Sequence, residues 1–199
     1  MTYTIRRYKS YQEYLDDETL CSEKNYRLLD TGEVIEVASE DDINIQIANR
    51  LIAAFQMVMG ITFIDFIRNG NREIQVNPVG DRRVNRFPDF MIIRPSHLKT
   101  ARQAIKLDDV PPVFVSETVS PGSDSSENYL RDYVWKRQQY QELGIAEYWI
   151  VDPHRAKVTV LVLVEGEYQE AVFVDDEKIV SVTYPAIALT PDKLLFGTD

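Results

Sequence analysis

Three strand-like segments follow one another near the end of the chain, and they restrict the fold more than any other feature. They read EYWIVDP, KVTVLVLV and YQEAVFV, and turn residues separate them at Pro153 to Ala156 and at Glu165-Gly166. The β-branched and aromatic residues in these segments favour strands, because such side chains pack well on a pleated, half-buried surface. The chain is therefore expected to contain a β-sheet whose apolar face other elements must cover.

Two other segments have the spacing of apolar residues that is typical of amphipathic helices. Ser39 and the acids after it are expected to start a long helix, which Gly60 ends. The segment ENYLRDYVWKRQQYQEL is expected to form the second helix. A short helix is predicted to open at Ser10, and a β-hairpin is predicted to turn at Asp30-Thr31-Gly32.

Further strand-like runs lie between the two long helices and complete the order of the elements. They read ITFIDFI, REIQV, RVNRFPDFMIIR and VFVSETV, and a connection of about eighteen residues, Pro95 to Pro112, precedes the last one. The order of helix, hairpin, helix, strands, helix and strands predicts a mixed α/β (α+β) fold. At 199 residues, the chain is expected to form a single domain that covers residues 1–199.

The net charge of −10 argues against tight metal-free binding of DNA, because proteins that bind nucleic acid by charge alone usually carry a basic surface. The local field in a cleft can still differ from the total charge. No segment approaches the roughly 18 consecutive apolar residues of a membrane helix, so no membrane contact is expected. The single cysteine, Cys21, cannot form an internal disulfide, which favours a reducing, cytoplasmic location.

A carboxylate, Glu117, stands in the apolar run VFVSETV, where a buried charge needs compensation. A salt-bridge partner, a raised pKa or a metal ion could each provide it. Asp89 has a similar setting in FPDFMII, and each acid is expected to share a strand face with the apolar residues two positions away. If the two strands pair, the two acids converge at one end of the sheet.

Two carboxylates held close together repel each other, and one of them takes up a proton unless a cation lies between them. Mg²⁺ or Mn²⁺, which prefer oxygen ligands, would be such a cation and could activate a water molecule toward a phosphate. The alternative is that each acid caps a strand or pairs with one of the nearby arginines, Arg82, Arg83, Arg86 and Arg94. Spacing alone leaves both interpretations open.

Asp132, Lys136 and Tyr140 follow one another at four-residue spacing in the second long helix, so they share one stripe of its surface. Because that helix begins shortly after the strand of Glu117, Lys136 could reach the carboxylates and stabilise a water molecule or the charge of a transition state. The alternative is an exposed salt bridge between Asp132 and Lys136 that contributes only a few tenths of a kcal/mol.

The segment ETVSPGSDSSENYLRDYVWKRQQYQELGIAEYWIVDP resembles the Uma2 family of the PD-(D/E)XK nuclease superfamily. That family typically has Glu-Val-Leu-Ser-Pro, then Asp-x-x-x-Lys-x-x-x-Tyr, then Gly-Val-x-Glu-Tyr-Trp-Leu-Val-Asp. This chain has Glu117 to Pro121, then Asp132, Lys136 and Tyr140, and then Gly144 to Asp152. With the hairpin and the long helix, the resemblance covers about residues 26–164. It implies a restriction-endonuclease-like core with a mixed central β-sheet flanked by helices.

This chain departs from the pattern of that family in several places. Val119 stands where the superfamily has a lysine two residues after the glutamate, and in the Uma2 pattern a helical lysine, here Lys136, substitutes for it. Arg27 and Asn44 stand where the family often has a glutamate before the hairpin turn and a histidine early in the long helix. Glu36, on the second strand of the hairpin, is a further candidate metal ligand.

The resemblance implies a metal-dependent endonuclease that hydrolyses DNA. Asp89, Glu117 and the Thr118 carbonyl would bind Mg²⁺ or Mn²⁺, Lys136 would act as a catalytic residue, and Tyr140 would brace Lys136. A homodimer is expected, because cutting a duplex requires two cleavage events. The alternative is a non-catalytic binding or assembly module of the same fold, which the net charge of −10 favours. If Asp89 and Glu117 are neighbouring metal ligands, Glu117→Gln should leave the metal-free fold unchanged or more stable, since it removes the repulsion between the two carboxylates.

Overall fold

Eleven strands and five α-helices build the described part of the protein, residues 7–20, 26–36, 42–99 and 104–198 of the computed structural model. The strands are β1 (Tyr26–Leu28), β2 (Val34–Glu36), β3 (Ile67–Arg68), β4 (Glu73–Gln75), β5 (Asn85–Arg86), β6 (Phe90–Ile92), β7 (Ala104–Ile105), β8 (Phe114–Thr118), β9 (Glu147–Asp152), β10 (Lys157–Val164) and β11 (Glu167–Val174). The α-helices are α1 (Tyr11–Leu15), α2 (Asp42–Met59), α3 (Glu127–Tyr129), α4 (Lys136–Glu142) and α5 (Pro191–Phe196). Within these ranges, none of the helices combines the length and the apolar character that crossing a membrane requires.

A six-stranded mixed sheet with the order β11-β10-β9-β8-β6-β3 lies at the centre. β8 and β9 run parallel, and the other neighbours in this sheet run antiparallel. A parallel pair needs a long crossover connection, and here a helix provides it. That helix consists of α3, a π-helical segment (Leu130–Trp135) and α4, and we refer to the three together as the crossover helix. The sheet and its flanking helices confirm the predicted mixed α+β fold.

The two faces of the central sheet carry separate hydrophobic cores. On one face, helix α2 contributes Ile47, Leu51 and Phe55, and these pack with Phe90 and Phe114 of the sheet. On the other face lie the alternate strand residues, which pack against the crossover helix through Tyr140: Met91, Ile93, Val115, Val119, Tyr148 and Ile150. Because successive side chains of a strand point to opposite faces, Glu117 shares the second face with Val115 and Val119. The sheet thus directs Glu117 toward the crossover helix, as the strand alternation predicted.

The local signals for turns and helix ends are largely confirmed. Ser10 accepts a hydrogen bond from the Glu13 backbone N–H and so caps α1, and β1 and β2 pair antiparallel around the predicted hairpin turn. Gly32 has a positive φ of 80°, and a Cβ atom there would lie 2.1 Å from the Tyr8 carbonyl oxygen, so this turn requires glycine. Helix α2 ends at Met59, immediately before Gly60.

Two expectations about the middle of the chain are wrong. ITFIDFI forms a 3₁₀ helix (Ile61–Phe66) before the short strand β3, and its Phe63 and Phe66 pack against the core, because a short apolar run can bury its side chains from a helix as well as from a strand. RVNRFPDFMIIR divides at Pro88, which lacks a backbone N–H for a continuous ladder, so β5 joins a small sheet with β4 and β7 while β6 joins the central one. The connection from Pro95 to Pro112 contains a 3₁₀ helix (Pro95–Lys99) and β7. The predicted cap at Ser39 and the single Cys21 lie outside the described residues.

Candidate active site

Asp89 and Glu117 occupy facing positions at one end of β6 and β8. Phe90 pairs with Ser116 and Met91 with Val115, so the same register continued by one residue sets Asp89 opposite Glu117. Asp89 is tied to this place because its Oδ2 accepts a hydrogen bond of 2.7 Å from the Thr118 backbone N–H. The structure therefore brings the two predicted acids to the same end of the sheet.

Two side chains of the crossover helix compensate the buried charge of Glu117. Glu117 is only 2% exposed, Lys136 Nζ lies 2.8 Å from its Oε2, and the Tyr140 hydroxyl donates to its Oε1 at 2.5 Å. A salt bridge and a hydroxyl donor thus satisfy both carboxylate oxygens from the protein itself. Of the three compensations that the sequence left open, the salt-bridge partner is the one that these contacts provide.

Lys136 connects Glu117 to Asp132 one helical turn earlier. Its Nζ lies 2.9 Å from Asp132 Oδ1, and its side chain is 11% exposed while that of Asp132 is 1% exposed. The alternative of an exposed salt bridge between these two residues is therefore wrong, because the pair is buried. Burial by itself would lower the pKa of Lys136, but the negative charges of Asp132, Glu117 and Asp89 outweigh it and raise that pKa. The ammonium group consequently stays charged at neutral pH.

Asp132 anchors the crossover helix to the loop after β8. Its Oδ2 accepts hydrogen bonds of 3.0 Å from the Ser120 backbone N–H and from Arg131 Nη2. Burial disfavours the charged form of Asp132, but Lys136 and Arg131 more than offset that effect and lower its pKa to about 2. These contacts hold the first turns of the crossover helix beside the end of β8, and the π-helical segment of this helix lies at this point. Such segments are rare and often occur at functional sites.

Tyr140 braces the carboxylate rather than the lysine. The sequence predicted that Tyr140 supports Lys136. The Tyr140 hydroxyl donates to Glu117 instead, so the predicted partner is wrong. The ring is fully buried and packs edge-on against Tyr148 with a centroid separation of 5.0 Å. Burial, followed by the charge of Glu117, raises the pKa of Tyr140 well above its usual value, so the hydroxyl remains a hydrogen-bond donor.

The arginines near Asp89 have other partners in the structure. Arg86 is 2% exposed, pairs with Asp81 at 2.8 Å and donates to Gln139 Oε1 at 2.8 Å. Arg83 also pairs with Asp81, at 3.4 Å. Arg82 pairs with Asp30, and Arg94 donates to the Pro111 carbonyl. The residue that neutralises Glu117 is therefore Lys136 and not one of these arginines. Arg86 is an internal structural residue.

The oxygens at this end of the sheet are of the kind that Mg²⁺ and Mn²⁺ prefer. Residues of an extended strand point their N–H and C=O groups to the same neighbouring strand. The Thr118 N–H faces Asp89, so the Thr118 carbonyl is expected to face the same side of β8. Among residues 7–20, 26–36, 42–99 and 104–198, no group of three or more His, Cys, Asp or Glu side chains could hold a metal. An ion bound here would therefore take its remaining ligands from water and substrate, as Mg²⁺ commonly does.

Comparisons with known proteins agree with this architecture. The family model for Uma2, described as "Putative restriction endonuclease", matches residues 11–191, a wider range than the 26–164 on which the resemblance rested. A crystal structure described as "a putative nuclease belonging to DUF820" from Anabaena variabilis is similar with a TM-score of 0.61. The two chains are 14% identical, and the match covers 92% of this chain and 96% of that one, so it shows the fold alone. No curated protein matches the chain.

Proposed function

Because the chain belongs to the Uma2 family, we propose that it is a metal-dependent endonuclease that hydrolyses phosphodiester bonds of DNA. One observation carries the proposal: a buried glutamate, Glu117, contacts a buried lysine, Lys136, at the strand end where Asp89 also lies. A buried ion pair adds little to the stability of a fold, since apolar residues of similar volume in its place often give an equally stable protein.

The carboxylates of Asp89 and Glu117, with the Thr118 carbonyl, would hold Mg²⁺ or Mn²⁺. When bound, such an ion polarises a phosphate and lowers the pKa of water enough to supply a nucleophile near neutral pH. The protein's own part is to hold these oxygens in place. Tyr140 fixes the orientation of the Glu117 carboxylate, and the Thr118 N–H fixes that of Asp89.

Lys136 would stabilise negative charge during hydrolysis. Its ammonium group is held between Asp132 and Glu117, so it lies at the ligand set in a defined position. A positive charge fixed in a poorly solvated site stabilises the charge that develops on a phosphate more than the same charge in water does. Asp132 would act as a positioning residue, because it orients Lys136 without touching the substrate.

The second candidate function is a non-catalytic binding or assembly module, and one observation favours it. Lys136 and Tyr140 already satisfy both oxygens of Glu117, so the carboxylate has partners without any metal ion. The net charge of −10 also favours this candidate. In that case, the protein would bind Mn²⁺ weakly or not at all, and the buried network would serve only to fix the crossover helix on the sheet.

Plasmid cleavage with Mg²⁺ or Mn²⁺ separates the two candidates. The wild-type protein should convert supercoiled DNA to nicked or linear forms, and Asp89→Asn and Glu117→Gln should lose cleavage together with Mn²⁺ binding in calorimetric titration. Lys136→Ala should lower the cleavage rate by about 10²–10³-fold while Mn²⁺ affinity is largely kept, since the lysine is not a ligand. Lys178→Ala, which removes an exposed lysine, is the matched control and should behave like the wild type.

Circular dichroism of each variant must accompany the cleavage assay, because Lys136 and Glu117 are buried and their loss affects the fold. If folded wild-type protein binds no Mn²⁺ and cuts no DNA, the nuclease proposal is wrong and the binding module is the better assignment. If Lys136→Ala cuts as fast as the wild type, then the lysine has no catalytic role.

The proposal includes a homodimer and a cytoplasmic location. A duplex has two strands to cut, and a dimer would present two sites to them. Sedimentation equilibrium measures the oligomeric state directly, and a monomer at all accessible concentrations would contradict this part of the proposal without affecting the chemistry of each site.

A further inference from the structure

Arg27 lies in strand β1 of the hairpin, close to the carboxylate site. Its guanidinium carbon is 4.6 Å from the centroid of the Phe87 ring, and Phe87 is two residues before Asp89. The hairpin is held against this segment by the Asn85 side chain, which accepts from the Leu28 N–H and donates to the Tyr26 carbonyl. The partly buried Arg27 side chain is thus fixed beside the chain segment that leads into the site.

Within the described part of the chain, Arg27 differs from the neighbouring arginines because no carboxylate lies at salt-bridge distance from its guanidinium group. Among the residues that the structure describes, no carboxylate forms an ion pair with Arg27, whereas Arg83 and Arg86 share Asp81 and Arg131 pairs with Asp132. Its hydrogen bond goes to the adjacent Tyr26 carbonyl at the long distance of 3.5 Å. A guanidinium group carries five N–H donors, and among the described residues only the Tyr26 carbonyl accepts from Arg27, so most of these donors can still bind a ligand.

The surroundings make this unpaired charge unfavourable in the free protein. Burial is the main cause that lowers the pKa of Arg27 to about 10, the positive charge of Arg86 adds to it, and Glu117 partly opposes it. At neutral pH the group is still charged. A charge that is removed from water without a partner costs free energy, and an anion that binds to it recovers part of that cost.

We propose that Arg27 binds the non-bridging oxygens of a phosphodiester group of the nucleic acid substrate. This inference rests on the proposed function and names the residue that recognises the backbone next to the bond to be cut. The planar fork of a guanidinium group matches two oxygens of a phosphate, and stacking on an aromatic ring holds the plane while leaving the N–H edge open. Arg27 is therefore a substrate-binding residue, in contrast to the internally paired Arg86.

Stability measurements test whether Arg27 is instead a structural residue. Arg27→Met keeps an unbranched stem on the Phe87 ring and removes the unpaired charge. A binding residue of this kind is not needed for folding, so the melting temperature of Arg27→Met should be equal to or higher than that of the wild type. A clear decrease in the melting temperature would show that the guanidinium group stabilises the fold, and the proposal would be wrong.

Binding of a short fluorescent DNA duplex, followed by anisotropy in Ca²⁺ over a range of salt concentrations, tests the ligand. Arg27→Gln should weaken binding about tenfold and lower the slope of log K against log salt by about 0.9, the value for one lost phosphate contact. Arg27→Lys should recover the slope but only part of the affinity, because it restores the charge without the fork. The control is Arg7→Gln, since Arg7 is 68% exposed and pairs with Glu33 beside the turn of the same hairpin.

The outcomes separate this inference from the proposed function. Duplex binding that depends on Arg27, in a protein that cuts no DNA, supports the inference and contradicts the nuclease. Cleavage with the same KM in the wild type and in Arg27→Gln overturns the inference and leaves the nuclease intact. Tight binding of inorganic phosphate without binding of the duplex, measured by calorimetric titration, also overturns it.

Discussion

Replacing Lys136 with methionine should strongly destabilise the fold. The lysine Nζ lies 2.8 Å from Glu117 and 2.9 Å from Asp132, and the side chains of these two acids are 2% and 1% exposed. Methionine fills a similar volume, so the main effect is the loss of the cation between two buried carboxylates. Removing one partner of a buried ion pair typically costs about 3–5 kcal/mol of the unfolding free energy, and that range is expected at neutral pH.

The loss of unfolding free energy in Lys136→Met should become smaller at acidic pH, and the pKa of Asp132 determines the pH range in which this happens. Its pKa falls from 3.8 in the unfolded chain to about 2 in the folded protein. A carboxyl group whose pKa is depressed by folding contributes stability that is present above the unfolded value and is lost as the pH falls through the folded value. A shift of this size corresponds to about 2 kcal/mol, at 1.36 kcal/mol per pKa unit. Because Lys136 is the strongest cause that lowers this pKa, that contribution should decrease in Lys136→Met.

Urea denaturation of the wild type and Lys136→Met at about pH 7 and about pH 3 measures both effects. The difference in unfolding free energy should be smaller at the lower pH, since the wild type begins to lose the Asp132 contribution there. Glu117→Gln is now expected to destabilise the metal-free protein as well, because it removes the acceptor of the Lys136 salt bridge. The sequence-based expectation of an unchanged or more stable fold considered only repulsion from Asp89.

The double variant Glu117→Gln/Lys136→Met completes a double-mutant cycle for this ion pair. It should be less destabilised than the sum of the two single variants, because each single variant leaves one charge without its partner. Lys178→Met, at an exposed position, is the control and should change the unfolding free energy by less than about 0.5 kcal/mol. A loss of less than about 1 kcal/mol for Lys136→Met at neutral pH would refute the reasoning, since surface pairs have that magnitude.

Two further predictions concern the hydrogen bonds around the site. Tyr140→Phe removes the hydroxyl that donates to Glu117, so urea denaturation should show a loss of about 1.5–3 kcal/mol, and an unchanged midpoint would contradict the assigned bond. Asp152 accepts hydrogen bonds from the Tyr133 hydroxyl and from the N–H groups of His154 and Arg155; burial would raise its pKa, but these donors lower it overall. Asp152→Asn should therefore lower the melting temperature at pH values above about 3.8, which is the pKa in the unfolded chain. The difference in melting temperature from the wild type should become smaller as the pH falls below that value. An equal difference at every pH would count against this assignment.

The local signals of the sequence were sufficient for most elements. Helix α2, the hairpin around Gly32, strand β8 and the three strands from β9 to β11 all depend on periodicity, caps and turn residues within a few positions. The segment from Ile61 to Phe66 was predicted wrongly, because a short apolar run fits both a strand and a helix. That residues 1–199 form one domain, and that Asp89, Glu117, Thr118 and Lys136 act on a substrate, stay predictions.

The sequence named Asp89, Glu117, Lys136 and Tyr140 as candidate residues of a site, from their strand and helix positions together with the resemblance to the Uma2 family. The partners of these residues were decided only by the tertiary structure. The sheet order places β8 between β6 and β9, and the crossover helix then returns over one face, so that Lys136 and Asp132 become buried and Tyr140 reaches Glu117. Likewise, Arg27 lies beside the site because the hairpin packs against Asn85. Pairings between residues far apart in the chain depend on how whole elements pack, and no local pattern contains that information.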